Sequence, residues 1–147
     1  MKFNESETLE LKTSTSELKE AIIAICAILN KHQKGELYFG ITNKGDIAGQ
    51  DVSDKTLREV AQEITDNIEP KIYPKVENVE IDNSQCIHVM FEGKDTPYYA
   101  YGRVFMRVGD QNKQVSAKEV EKLIIQKNYE KMRWDNLICS GATLEDI

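Results

Sequence analysis

Long apolar runs are missing from this chain. The longest, Ala21 to Leu29, has nine residues between Glu20 and the pair Asn30-Lys31, well under the ~20 that a membrane-spanning helix needs. The first residues, Met1-Lys2-Phe3-Asn4-Glu5, turn acidic at once and contain no apolar core of signal-peptide type. No membrane partner is expected, and the expected compartment is the cytoplasm. Cysteine is scarce: Cys26, Cys86 and Cys139 are an odd number at wide spacing, with no CxxC pair. That excludes a disulfide framework and a structural zinc site, and it leaves Cys26 and Cys86, set in apolar patterns, to pack as small hydrophobes. Histidine is scarcer still: His32 falls in a turn and His88 in an alternating strand, too far apart in sequence to suggest a metal or catalytic pair. The phosphate loops GxxxxGK[ST] and GxGxxG are both absent. Positive charge is in deficit too. Nineteen Lys and Arg face 25 Asp and Glu, a net charge of -6, so any grip on phosphates must be local.

What is present suits an ordinary folded domain. The 147 residues, 40% hydrophobic and 30% charged, are enough for one core and too few for two comfortable ones. Thr8 to Lys12 alternates as a half-buried strand with Leu9 and Leu11 on one side. Ser14 followed by Glu17 forms a capping box for a helix over 15–31, whose stripe of Leu18, Ile22, Ile25, Cys26 and Leu29 is widened by Ile23 and Ala27. Glu36 to Ile41 reads as a central strand. A turn follows with Gly45 supplying positive φ, and Ile47 to Gly49 is a short returning strand. Ser53 or Asp54 caps a helix ending near Ile68, after which Pro70 and Pro74 hold an extended link. Val76 to Ile81 and Cys86 to Phe91 form a hairpin around Asp82-Asn83-Ser84. Val104 to Val108 is a last strand, and Ser116 with Glu119 caps a helix to about Lys131. The expected fold is α+β, a mixed and mostly antiparallel sheet with helices packed on it. Residues 1–131 form the domain; 132–147 are a linker or the start of a further C-terminal region, with Thr143 and Asp146 opening another helix.

Two constellations could carry chemistry. Glu5 and Glu10 are the first, because carboxylates brought together beside the first strand can hold Mg²⁺ or Mn²⁺ for phosphodiester cleavage. The bland reading is that they are solvated, with Glu10 paired to Lys12 or Lys19. The second is Lys12, Arg103, Arg107 and Lys113 beside Tyr98, Tyr99, Tyr101 and Phe105. Arg103, Phe105 and Arg107 alternate onto one strand face, where two guanidiniums and a ring can take phosphate and stack a base. The bland reading pairs them with the many acids.

Several segments, in this order and spacing, resemble the AlbA_2 domain, also called Schlafen AlbA_2 or the divergent AAA-4 N-terminal domain, of bacterial transcriptional regulators. They are Glu5 with Glu10-Leu11-Lys12, Ile25 to Asn30, Gly35 to Ile41 with Gly45 and Gly49, Pro97-Tyr98, and Tyr101 to Asp110. The resemblance implies a DNA- or RNA-binding module. It also implies a nuclease alternative, since paired copies in Schlafen relatives cut RNA with three acids. Two of those match Glu5 and Glu10. The third falls where this chain has Thr42-Asn43, with Asp46 nearby. The loop from Asn30 to Gly35 is one residue longer than the family's and has a single glycine.

The expected function is therefore nucleic-acid binding, with DNA the first choice, through Lys12, Arg103, Arg107 and Lys113, within a regulator and without enzymatic activity of this domain alone. No cofactor is expected; Mg²⁺ or Mn²⁺ enters only with the nuclease alternative. A third reading is docking, to a C-terminal region of the same protein or to a second copy as a homodimer.

Overall fold

The structure, a computed structural model, describes the backbone of residues 3–146 and the side chains of residues 3–134. The chain forms two compact units, Met1–Val115 and Ser116–Ile147.

The first unit is built on a four-stranded sheet. Strands β1 (Leu9–Lys12), β2 (Lys34–Phe39), β4 (Lys75–Ile81) and β5 (Ser84–Glu92) lie in the order β1-β2-β5-β4. β1 runs parallel to β2, and the other neighbours are antiparallel. The parallel pair needs a crossover, and helix α1 (Leu18–His32) supplies it, preceded by a 3-10 turn at Thr15–Glu17. The reciprocal box expected of Ser14 and Glu17 is not formed: the Ser14 hydroxyl caps the 3-10 turn by accepting from Ser16 N–H, the Glu17 carboxylate accepts from Thr13 N–H at 2.9 Å, and α1 itself starts at Glu17 with no side-chain cap. α1 buries Ala21, Ile22 and every residue from Ala24 to Leu29. That is wider than one amphipathic stripe, because the helix is covered on two sides, by the sheet and by the later hairpin.

Helix α2 (Asp54–Asn67) starts at Ser53, whose hydroxyl accepts from Thr56 N–H at 3.2 Å. Its Val60 and Ile64 join Ile22, Ile25, Leu29, Leu37, Phe39, Ile87 and Val89 in the main core. The β4–β5 hairpin turns at Asp82 and Asn83, both at positive φ, as a two-residue primed turn requires. Short strands β3 (Ile68–Glu69) and β6 (Tyr99–Ala100) pair with each other, and β7 (Phe105–Val108) pairs with β8 (Gln111–Gln114). The returning strand expected at Ile47 reduces to a single bridge between Ile41 and Ile47. Gly45 does take positive φ, 88°, and a Cβ there would sit 1.8 Å from the Phe3 carbonyl oxygen. Gly35 has another reason to be glycine: a Cβ would stand 2.6 Å from Ile28 Cγ2 and 2.9 Å from the Thr8 carbonyl, so its absence lets α1 lie close on β2. Cys26 and Cys86 are free and buried; burial pushes the Cys26 thiol up to about 11.

The second unit is helix α3 (Ala117–Asp146), and Ser116 caps it: Glu119 N–H donates to the Ser116 hydroxyl at 3.2 Å, and that hydroxyl in turn donates to the Glu119 carboxylate, in place of the backbone bond that would complete the expected box. The helix runs past the expected end near Lys131. The cap proposed at Thr143 and Asp146 concerns side chains outside the described residues. Among the described residues no helix is long and apolar enough to cross a membrane.

Candidate functional site

Alternation along β1 decides where its acid goes. Leu9 and Leu11 turn to one face of the sheet, where Leu11 packs with Ile41 and Cys86, so Glu10 and Lys12 turn to the other. The β7–β8 hairpin closes over that side, and Glu10 is left only 3% exposed. Its partner is Arg107, 0% exposed. Arg107 Nη1 donates to Glu10 Oε2 at 2.5 Å and to Asn112 Oδ1 at 2.7 Å, and Nη2 donates to the Ser6 and Leu9 carbonyls at 2.7 and 3.4 Å. The other Glu10 oxygen faces Lys12 Nζ at 3.6 Å. A planar fork that satisfies a carboxylate, an amide and two carbonyls at once is work for arginine and not for lysine.

Glu5 folds back beside this pair, as its place ahead of the strand allows. Its Oε1 accepts from Leu11 N–H at 3.3 Å, and its carboxyl lies close enough to that of Glu10 for the two to influence each other's charge. Burial, then the closeness and charge of the Glu10 carboxyl, push it up to about 7 against the opposing pull of Leu11 N–H and Lys12. Glu5 and Glu10 thus share a site in which Glu5 holds a proton until near neutrality. A groove of about 480 Å³ opens here, lined by both acids and Lys12 with Glu20, Asn43, Asp110 and Asn112 among others.

This arrangement makes a prediction about stability. Glu5 binds its proton more tightly folded than unfolded, so its contribution is intact below the ordinary carboxylate value of 4.5 and is lost as pH rises from there to about 7. Glu5→Gln, which cannot ionise, is expected to match wild type in urea unfolding at pH 4 and to exceed it at pH 8. Because the group is partly solvated, the gain is on the order of 1 kcal/mol. A gain that is the same at both pH values would mean that the two carboxyls do not share a proton.

The four cations expected to form one patch do not. Phe105 and Arg107 do share a strand face, but the hairpin turns that face inward, so Arg107 is buried and neutralised where an open position was expected. Register then separates Lys113 from it: Arg107 pairs with Asn112 across the hairpin, and Lys113 pairs with Met106 on the opposite face. Lys113 is exposed, as is Arg103, which donates to Gln114 Oε1 at 3.3 Å. Lys12 alone of the four lines the groove. Glu20 and Asp110 line it too, and neither stood out in the sequence: Glu20 looks like any acid in a helix's first turn, and Asp110 like any turn residue. The two histidines are both paired with acids, His32 with Glu7 at 3.3 Å and His88 with Glu36 at 2.7 Å.

The donors at the groove do not fit a divalent metal. One Glu10 oxygen is taken by a guanidinium, the other faces an ammonium, and the third family position holds the neutral Asn43. Among the described residues, no three His, Cys, Asp or Glu side chains are grouped so that they could hold a metal ion.

The fold is shared with solved structures. The DIP2311 protein from Corynebacterium diphtheriae superposes with a TM-score of 0.61 at 17% identity, over 74% of this chain and 22% of that one. The chain thus spans less than a quarter of that protein. The N-terminal domain of a Nitrosomonas europaea protein described as related to the ATP-dependent DNA helicase RecG matches with a TM-score of 0.54 at 21% identity, over 78% of this chain and 86% of that domain. No curated protein is similar enough to match. The family described as "Schlafen, AlbA_2" matches residues 5–116, a span that begins at the groove acid Glu5 and takes in Glu10, Arg107 and Asn112, and on that match the chain belongs to the Schlafen AlbA_2 family.

Proposed function

We propose that this chain is a nucleic-acid-binding module, with DNA as the first target, and that it serves a cytoplasmic transcriptional regulator. Its family and the DNA-helicase relationship named for one fold neighbour support a nucleic-acid role. The observation that carries the proposal is the internal neutralisation of Glu10. With Arg107 and Lys12 both on that carboxylate, and Glu5 holding a proton until near neutrality, the acids at the floor of the groove repel a phosphate chain far less than their number suggests. Of the four expected cations, Arg103 and Lys113, exposed on and beside the β7–β8 hairpin, are then the ones left for phosphate.

The test is fluorescence anisotropy of a labelled DNA duplex over a salt series. Wild type is expected to bind and to weaken steeply with salt, and Arg103→Ala/Lys113→Ala to lose most of the affinity, with a log–log salt slope shallower by about 2. Unchanged binding by the double variant overturns the assignment. Under this proposal Mn²⁺ brings no cleavage of labelled RNA. Cleavage that needs Mn²⁺ and disappears in Glu5→Gln would put the nuclease reading in its place.

A further inference from the structure

The segment between α2 and β4 carries a feature that the groove does not use. Lys71, Ile72, Tyr73, Pro74 and Lys75 alternate in exposure: Lys71, Tyr73 and Lys75 are exposed, while Ile72 between them is only 4% exposed and sits in the main core. In an extended chain this alternation puts the three outward residues on one side. Tyr73 is 82% exposed, the most of any large hydrophobic among the described residues of the first unit. Its backbone is not free to fold it away. Proline flanks it at position 74, Pro70 stands three residues before, and the Ile72 carbonyl accepts from the Thr65 hydroxyl of α2 at 3.1 Å. A ring held out in water, with a cation two residues away on either side, serves no purpose in the core.

The ring does not stand alone. Tyr73 and Lys75 line a groove of about 550 Å³ with Lys34, Gly35, Glu36 and Met90 among others, and this groove shares no lining residue with the one at Glu5 and Glu10. Lys34 also lines a neighbouring depression with Lys94. Acids stand nearby: Glu36 holds His88 at 2.7 Å, Glu77 pairs with Lys75 itself at 3.0 Å, and Glu92 lines both depressions, so the cations with most to offer a phosphate are those outside such pairs. Lys34, Lys71 and Lys94 have no ion pair among the described residues.

We infer that the Lys71–Tyr73–Lys75 ridge, with Lys34 beside it, is a contact for single-stranded nucleic acid, in which a base stacks on the Tyr73 ring and the flanking phosphates lie against the lysines. A duplex keeps its bases stacked on one another and has no face to offer a lone ring; an unpaired base does, and every base has a π-face, so the contact is indifferent to sequence. The inference rests on the nucleic-acid reading above but concerns a different surface, so the two can fail separately.

The experiment measures anisotropy of fluorescein-labelled oligo-dT and of a duplex, with wild type, Tyr73→Ala, Tyr73→Phe and Arg103→Ala/Lys113→Ala. Since the Tyr73 side chain is almost wholly in water, Tyr73→Ala is expected to fold, with a wild-type circular dichroism melt as the control. Tyr73→Ala should weaken oligo-dT binding on the order of tenfold, Tyr73→Phe should retain it, and neither should change duplex binding. Oligo-dT binding that is indifferent to Tyr73→Ala overturns this inference and leaves the general reading standing. Equal losses on oligo-dT and duplex overturn it as a single-strand contact. Absence of binding to both probes by wild type overturns both readings.

Discussion

Arg107→Met is expected to lower the stability of the first unit by about 3–5 kcal/mol in urea unfolding. The side chain is 0% exposed and its partner Glu10 is 3% exposed, so the substitution leaves a carboxylate desolvated with only Lys12, at 3.6 Å, to balance it. It also takes a donor from the Asn112 amide oxygen and from the Ser6 and Leu9 carbonyls, the last of which keeps Ser6 N–H at 3.0 Å. These groups belong to β8, to the N-terminal segment and to β1, so the loss unties the hairpin from the strand it covers. Glu10→Leu alone should destabilise for the mirror reason, leaving a guanidinium whose Nε already has no partner. The double variant Glu10→Leu/Arg107→Met should then be more stable than the sum of the singles implies, because an apolar pair of similar volume removes both desolvation penalties together. A single Arg107→Met variant with wild-type stability, or additive losses in the double, would show that water reaches the pair.

The same two residues mark how far the sequence could be followed. Alternation placed Leu9 and Leu11 opposite Glu10, and Phe105 beside Arg107, and both placements hold. Alternation says which residues share a face and nothing about which face the fold covers. In β7 both choices were open, since Phe105 with Arg107 and Met106 with Val108 each include apolar side chains. The neighbour that decides it, β8, is Gln111-Asn112-Lys113-Gln114, four polar residues with no periodicity; its strand character comes from pairing with β7 and not from its own composition. Without β8 the hairpin could not be read, and so neither the burial of Arg107 nor the divergence of Lys113 could be. Ser14, Ser53 and Ser116 were legible as capping hydroxyls because that chemistry is local, though the reciprocal glutamate bonds expected at Ser14 and Ser116 are not made. The end of α3 was not, since no proline stands between Lys131 and Asp146 to stop a helix once its periodicity has faded. At the groove, Glu5, Glu10 and the Thr42-Asn43 position could be named in advance, but Glu20 and Asp110 come from separate elements and meet them only in the folded chain.

Asn30, near the end of α1, gives the second large effect. Its amide clamps two distant segments by their backbones: Nδ2 donates to the Tyr98 carbonyl at 3.0 Å and the Phe105 carbonyl at 2.8 Å, while Oδ1 accepts from Tyr98 N–H at 2.6 Å. Tyr98 lies just before β6 and Phe105 is the first residue of β7, so one side chain ties the starts of two strands to α1. Asn30→Ala leaves Tyr98 N–H and the Phe105 carbonyl without this partner and the Tyr98 carbonyl with only the Cys26 thiol at 3.2 Å, and is expected to cost about 2–4 kcal/mol in thermal or urea unfolding. Asn30→Asp separates this account from one based on packing, since the two side chains have nearly the same shape. Aspartate keeps the acceptor for Tyr98 N–H but turns a second oxygen towards two carbonyl oxygens. At pH 7 Asn30→Asp should therefore be at least as damaging as Asn30→Ala. The carboxyl would hold its proton more tightly folded than unfolded, because only the protonated form can donate to a carbonyl. The deficit should therefore shrink as pH falls towards 4. If Asn30→Asp melts like wild type at pH 7, the carbonyls of Tyr98 and Phe105 find their donors in water and the clamp is not what joins these segments to α1.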